Sequence, residues 1–266
     1  MKNSFIYISP FLLLVQVLFF SNCARNGLYL IKDKTGKVVE NCTYENNRPI
    51  SGLCVTRYPN NRKRLTANYR GGKLDGVFIE YYQDESKKRQ GSYVNGSLQG
   101  EIVTWDQGGQ KLHSICYQGG TLDGPFTYWY SNGKQKSSGK YISGRPHGTF
   151  YQWDIKEVKL LEVETSSGKL NGQYISWFNN GNVNTKIPYV NGKIEGKSQE
   201  YYVTGGKFKE CSYVSGQLHG SCLSWYPSGI MRIKTNYNRG VLEGESLFWN
   251  RNGVLYTTQD VPSDAP

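Results

Sequence analysis

Histidine is scarce, with three in 266 residues, and methionine scarcer still with two. The chain has no Cys-x-x-Cys pair, no His-Glu-x-x-His, no Gly-x-Ser-x-Gly and no phosphate-binding glycine loop ending in Lys-Ser/Thr. Each absence removes a class of chemistry. Tetrahedral zinc sites need clustered Cys or His at short spacing, and the common hydrolase and nucleotide-binding motifs need fixed patterns of their own. Long apolar runs are missing too. Phe5 to Phe20 is broken by Ser9, Pro10 and Gln16, and falls short of the roughly 20 residues a membrane-spanning helix requires. No stretch has the apolar spacing of a useful amphipathic helix. Basic residues outnumber acidic ones 32 to 21, a formal charge of +11. That excess is spread along the chain, whereas nucleic-acid binders gather it into a stripe with interleaved aromatic platforms. Nucleic acid is therefore not an expected partner.

Glycine is abundant, and it is periodic. YRGGKLDG at Tyr69 returns as YVNGSLQG at Tyr93, YQGGTLDG at Tyr117, YISGRPHG at Tyr141, YVNGKIEG at Tyr189, YVSGQLHG at Tyr213 and YNRGVLEG at Tyr237. The starts are 24 residues apart, and the gap at Thr165 keeps its glycines, Gly168 and Gly172. A worn copy precedes them, with Glu45, Arg48 and Gly52 in the Tyr, Gly and Gly places. Of 31 glycines, 23 occupy three columns of this repeat, so their role is geometric. The first glycine of each copy is expected at positive φ, and the second is expected to allow close approach beneath an aromatic ring. Repeats of this length stack on their neighbours and need no central core.

After each second glycine comes a short alternating run such as Val77–Tyr82 or Pro125–Tyr130, rich in aromatic and β-branched residues, which predicts a strand. A turn follows, Asn-Gly at 132–133, 180–181 and 252–253, predicting a hairpin in which both turn residues take positive φ. One aromatic column holds Tyr81, Trp105, Trp129, Trp153, Trp177, Tyr201, Trp225 and Trp249; the motif tyrosines form a second, and Leu74 and its equivalents an apolar third. The fold class is thus all-β, an elongated single-sheet solenoid of β-hairpin repeats. Its expected organisation is a leader over 1–22, a linker over 23–28, about nine units over 29–257 and a disordered tail over 258–266.

The leader has a basic start, a short apolar stretch and a polar turn, the pattern of an export signal. Its end, Phe19-Phe20-Ser21-Asn22-Cys23, resembles the lipobox of bacterial lipoproteins, with Asn22 where a small Gly or Ala is usual. The resemblance implies lipid attachment at Cys23, and acylation would hold the chain on a membrane; plain secretion is the alternative. Five cysteines remain. Cys211 and Cys222 fall opposite each other when counted outward from the middle of Tyr213–Gly220, whereas Cys42 and Cys54 miss opposition by one residue. In an exported chain Cys211 and Cys222 form a disulfide or a pair of small buried thiols.

The Tyr-x-x-Gly-x-x-x-Gly loop, aromatic strand, Asn-Gly turn and return strand together resemble the bacterial variant of MORN repeats over residues 45 to 257. Glu85 and Glu157 depart from the turn glycine of that pattern, Thr165 from its tyrosine. The resemblance implies a scaffold or interaction module, sometimes described as antitoxin-like. The residues add nothing catalytic: His147 and His219 share a polar loop column with Asp75, Gln99, Asp123, Asn171, Glu195 and Glu243, and the carboxylates there are separated by whole repeats. No metal, cofactor or enzyme activity is expected. Tyr82, Tyr130, Phe178, Tyr202 and Tyr226 lie one residue past the tryptophan column, on the opposite strand face, and form the candidate binding face. The bland reading is that long basic side chains cover these rings. The leading expectation is an envelope-associated, lipid-anchored binding or scaffold protein recognising a protein partner. Alternatives are a carbohydrate- or wall-binding surface protein, for which glycans or anionic lipids would be ligands, and a toxin-neutralising partner.

Overall fold

The computed structural model describes residues 25–33, 36 and 38–256. The leader, Cys23 and the tail lie outside the described residues. Among the described residues, twenty-two strands form one antiparallel sheet in which hydrogen-bonded neighbours follow chain order. It is an elongated, all-β array of sequential hairpins. The first strand, Gly27–Lys32, begins inside the stretch read as a linker and pairs with Val38–Glu45.

Each unit contains two kinds of turn, and the tight one is not where Asn-Gly suggested. In the strand pair Lys63–Arg70 and Lys73–Tyr81 the last partners are Arg70 and Lys73, leaving a two-residue turn. Both residues of such turns have positive φ, for example Asn95 at 48° and Gly96 at 86°, the conformation that matches strand twist in two-residue hairpins. The Asn-Gly turns are longer. Gly133 N–H donates to the Tyr130 carbonyl (2.9 Å) and Tyr130 N–H to the Lys134 carbonyl (2.8 Å), and only Gly133 of the pair has positive φ. Asparagine there accepts instead, taking the Lys134 N–H on Oδ1 at 3.0 Å. Glu85 and Glu157, in place of the turn glycine, adopt φ of 69° and 70° and leave the turn unchanged.

The worn first copy is one residue out of register. Its two-residue turn is Asn46–Asn47, so Tyr44 and Asn47, not Glu45 and Arg48, hold the Tyr and Gly places. Ile50 accepts the N–H of Gly72 as Leu74 accepts that of Gly96, which puts one extra residue between Asn47 and Ile50. That shift removes the apparent misfit of Cys42 and Cys54.

The core is a row one residue deep that crosses the sheet. Cross-strand pairs link Cys54, Ala67, Phe78 and Gly91, then Ile102, Ile115, Phe126 and Gly139, then Phe150, Val163, Tyr174 and Ile187, and last Ser198, Cys211 and Cys222. Gly91 lies against Ile102 and Gly139 against Phe150, and Ile187 and Ser198 adjoin the Lys186–Gln199 pair. Cys54, Ala67, Phe78, Ile102, Phe126, Val163, Cys211 and Cys222 are buried. Gly91 and Gly139 interrupt its large side chains. A Cβ on Gly139 would lie 2.6 Å from the Phe150 ring and 2.9 Å from that of Phe126, so that glycine makes room for two phenylalanines. At the second glycine of each loop the expected ring is absent. A Cβ on Gly76, Gly124, Gly172, Gly196 or Gly220 would meet the side chain of the preceding strand, as for Gly124 over Cys116 at 2.8 Å, whereas one on Gly100, Gly148 or Gly244 would meet nothing. These glycines are required for their backbone: Gly124 has φ 107°, inside a bulge where Cys116 alone opposes the residues between the pairs Ile115–Phe126 and Tyr117–Leu122.

Candidate functional site

The candidate face is built into the joints between units. Tyr82 Oη donates to the Trp105 carbonyl at 2.8 Å, Tyr130 to Trp153 at 2.9 Å, Tyr202 to Trp225 at 2.7 Å and Tyr226 to Trp249 at 2.8 Å. Tyr58, not singled out from sequence although it stands 24 residues before Tyr82, makes the same bond to Tyr81 at 2.7 Å. Each hydroxyl thus ties the end of one hairpin to the next. Phe178 occupies this column without a hydroxyl. Where the column is Asp106, Asp154 or Asn250, the side chain turns inward and accepts backbone N–H groups of its own turn, such as Val158 to Asp154 at 2.8 Å. Burial raises the hydroxyl pKa of Tyr82 and Tyr202, with Asp106 adding to the effect at Tyr82.

The polar loop column also links neighbouring units. Gln99 accepts the N–H of Gly119 at 3.1 Å, Asp123 that of Ser143 at 3.0 Å, Asn171 that of Asn191 at 3.0 Å and Glu195 that of Ser215 at 2.6 Å. In these four units the acceptor satisfies a turn donor 20 residues on, a bond that Asp, Asn, Gln and Glu oxygens can all accept. His147 and His219 belong to it. His113 sits elsewhere, against the Tyr128 ring at 5.4 Å, and burial, then Arg89, push its pKa down. Among the described residues no group of three His, Cys, Asp or Glu side chains could hold a metal ion.

The tryptophan column lies on the opposite face, half-buried throughout. Lysines reach over its rings: Lys111 over Trp129 at 5.8 Å, Lys159 over Trp177 at 5.2 Å and Lys207 over Trp225 at 5.2 Å. On the other face Lys88 covers Tyr82, Lys136 covers Tyr130 and Arg232 covers Tyr226. Among the described residues eight basic side chains lie over aromatic rings in this way. Lys207 and Lys197 also pair with Glu210, which accepts from Gln199 as well; these bonds hold the Glu210 carboxyl at about 2.

Cys211 and Cys222 are directly paired in the register and joined by a disulfide; Cys42 and Cys54 form a second. With the one-residue shift of the first copy removed, both bridges occupy the same column pair as Ala67 and Phe78. Cys116 is the free thiol among the described residues, its pKa raised by burial and by Glu101. No described helix is long and apolar enough to cross a membrane.

Two segments of the chain, residues 170–191 and 218–239, match the family described as MORN repeat variant. Each runs from the apolar column of one unit into the tyrosine-side turn of the next. A search of curated proteins gave no match. Among solved structures, the complex TcdB2-TccC3-Cdc42 aligns over 90% of this chain at 10% identity and a TM-score of 0.22. The Photorhabdus luminescens Tc holotoxin pore aligns over 90% at 11% identity and 0.22. The chain spans about 15% of the length of those chains. Overlap at these scores carries no argument about fold or activity, and the likeness that stands is that of residues 170–191 and 218–239 to MORN repeat variants.

Proposed function

We propose that this chain is a non-catalytic scaffold of the bacterial cell envelope that binds a protein partner along its repeat array. The observation that carries the reading is the one-residue-deep core. The hydroxyl bonds, turn acceptors and lysine cover all serve to join unit to unit, which leaves a long sheet with two faces and two rows of turns open to contact. An array of this kind suits a large partner surface better than a small ligand. Export supplies the setting in which its two disulfides form, and Cys23 is the proposed lipid attachment. The test is chemical crosslinking in the native host, with intact mass and detergent partitioning of the wild type beside Cys23→Ser. The expected result is an acylated, detergent-partitioning wild type crosslinked to a protein of the envelope in fixed stoichiometry. Saturable retention on wall glycans with no protein crosslink would replace this reading with the carbohydrate-binding one.

A further inference from the structure

The two rows of turns differ in charge. Across the nine tyrosine-side turns (residues 45–48, 70–73, 94–97 and onward at intervals of 24 to 238–241) there are seven basic residues and one acidic, Glu45. The nine asparagine-side turns, from 58–62 to 250–254, carry four basic and five acidic residues. The longest unbroken run of basic turns is that of Arg145, Lys169 and Lys193. These exposed side chains follow the turn glycine in three consecutive units. Their stems lie along the row: a Cβ on Gly168 would touch Arg145 at 3.7 Å, one on Gly192 would touch Lys169 at 4.0 Å and one on Gly216 would touch Lys193 at 3.7 Å. Beside them stand apolar tips, Ile142, Val190 and Val214, exposed by 40%, 50% and 48%. Carboxylates of the neighbouring loop column are already engaged, Asp123 and Glu195 by turn N–H groups and Asp75 by Arg70.

We propose that this row of turns docks an extended acidic segment of a protein partner, with a carboxylate at every third residue. The inference rests on the scaffold reading above. Two strands advance the sheet by roughly 9.5 Å, and one three-residue turn of a polyproline-II chain advances about 9.3 Å. Acidic side chains at that spacing meet Arg145, Lys169 and Lys193 in succession, while intervening small apolar residues cover Ile142, Val190 and Val214. A bilayer would fit the charge, but interfacial surfaces are rich in Trp and Tyr, and none of the nine tyrosine-side turns contains an aromatic residue.

The test uses the full oxidised chain and three labelled probes: a repeating Glu-Pro-Val peptide, a peptide of the same composition with its glutamates contiguous, and phosphatidylglycerol vesicles. The spaced peptide is expected to bind saturably and at least fivefold more tightly than the contiguous one. Combined Arg145→Glu, Lys169→Glu and Lys193→Glu should weaken it at least tenfold. Lys156→Glu with Arg251→Glu, on the other row, should leave it unchanged, and circular dichroism should report both variants folded. Equal binding of the two peptides, preferential binding to vesicles, or indifference to the triple charge reversal would overturn the proposal. Should the triple variant still crosslink to the host partner, the scaffold reading survives and this docking edge does not; should the wild type crosslink to no protein, the scaffold reading itself fails.

Discussion

Tyr130 shows what a single hydroxyl does in this array. Its bond to the Trp153 carbonyl spans two units, and a hydrogen bond of this kind contributes about 0.5–1.5 kcal/mol net. Tyr130→Phe should lower stability by about that amount with little change in ring packing, whereas Phe178→Tyr should raise it by restoring a hydroxyl to the same column. Paired denaturant titrations of the two variants check both signs. Gly139 makes the opposite kind of case. Its backbone is not in the left-handed region, so alanine is resisted by space alone, and the ring atoms at 2.6 and 2.9 Å belong to two packed phenylalanines. Overfilling of this sort costs about 1–3 kcal/mol. Gly139→Ala should cost within that range, and Gly139→Ala with Phe150→Leu should recover part of it.

At the level of hairpins, the two disulfides stand toward the ends of the buried row. Between them the row is filled by Ala67, Phe78, Ile102, Phe126 and Val163 and thins toward its far end, where Ser198 pairs with Cys211 just inside the second bridge and Thr235 with Cys222 just outside it. A covalent bridge thus takes over where apolar contact thins. Cys211 and Cys222 are separated by 11 residues, and closing a loop of that order stabilises by roughly 2–3 kcal/mol in the chain-entropy account. Cys211→Ser with Cys222→Ser should cost about that much. Because repeats unfold by nearest-neighbour coupling, hydrogen exchange should show the loss confined to strands after about residue 196, with the strands from Lys63 to Trp177 still protected. Uniform loss of protection along the array would show instead that the sheet behaves as one cooperative unit. These hairpins were also the most legible part of the sequence. The 24-residue period, the positive φ of the first glycines and the opposition of Cys211 and Cys222 follow directly from the spacing. The turn types did not, since Asn-Gly serves both a two-residue turn with two positive φ angles and a longer turn with one, and only the ladder register separates them. Neither did the use of the aromatic columns. Alternation placed Tyr82 and Trp105 on opposite faces, but not the hydroxyl that joins one to the backbone of the other.

Taken whole, the array places its tyrosines where ionisation opposes folding. Burial raises the hydroxyl pKa of nine of them, Tyr44, Tyr69, Tyr82, Tyr93, Tyr117, Tyr128, Tyr141, Tyr189 and Tyr202, above the ordinary value of 10.0. In the unfolded chain the same groups ionise near 10. The neutral form is therefore favoured in the folded state, and the contribution is complete below pH 10. As pH rises further the unfolded chain releases its protons first, and stability is lost until the folded pKa values are passed. Each proton of difference changes stability by about 1.4 kcal/mol per pH unit, so several tyrosines titrating together make the fall steep. Ionised Tyr82 and Tyr202 also cannot donate to the Trp105 and Trp225 carbonyls, which loosens the joints between units. Stability measured by urea unfolding should be nearly level from pH 8 to pH 9.5 and drop sharply above 10. Tyr82→Phe with Tyr202→Phe should lower the plateau yet flatten the drop, because two of the responsible groups no longer titrate; an unchanged slope would mean that alkaline unfolding is driven by groups other than these two.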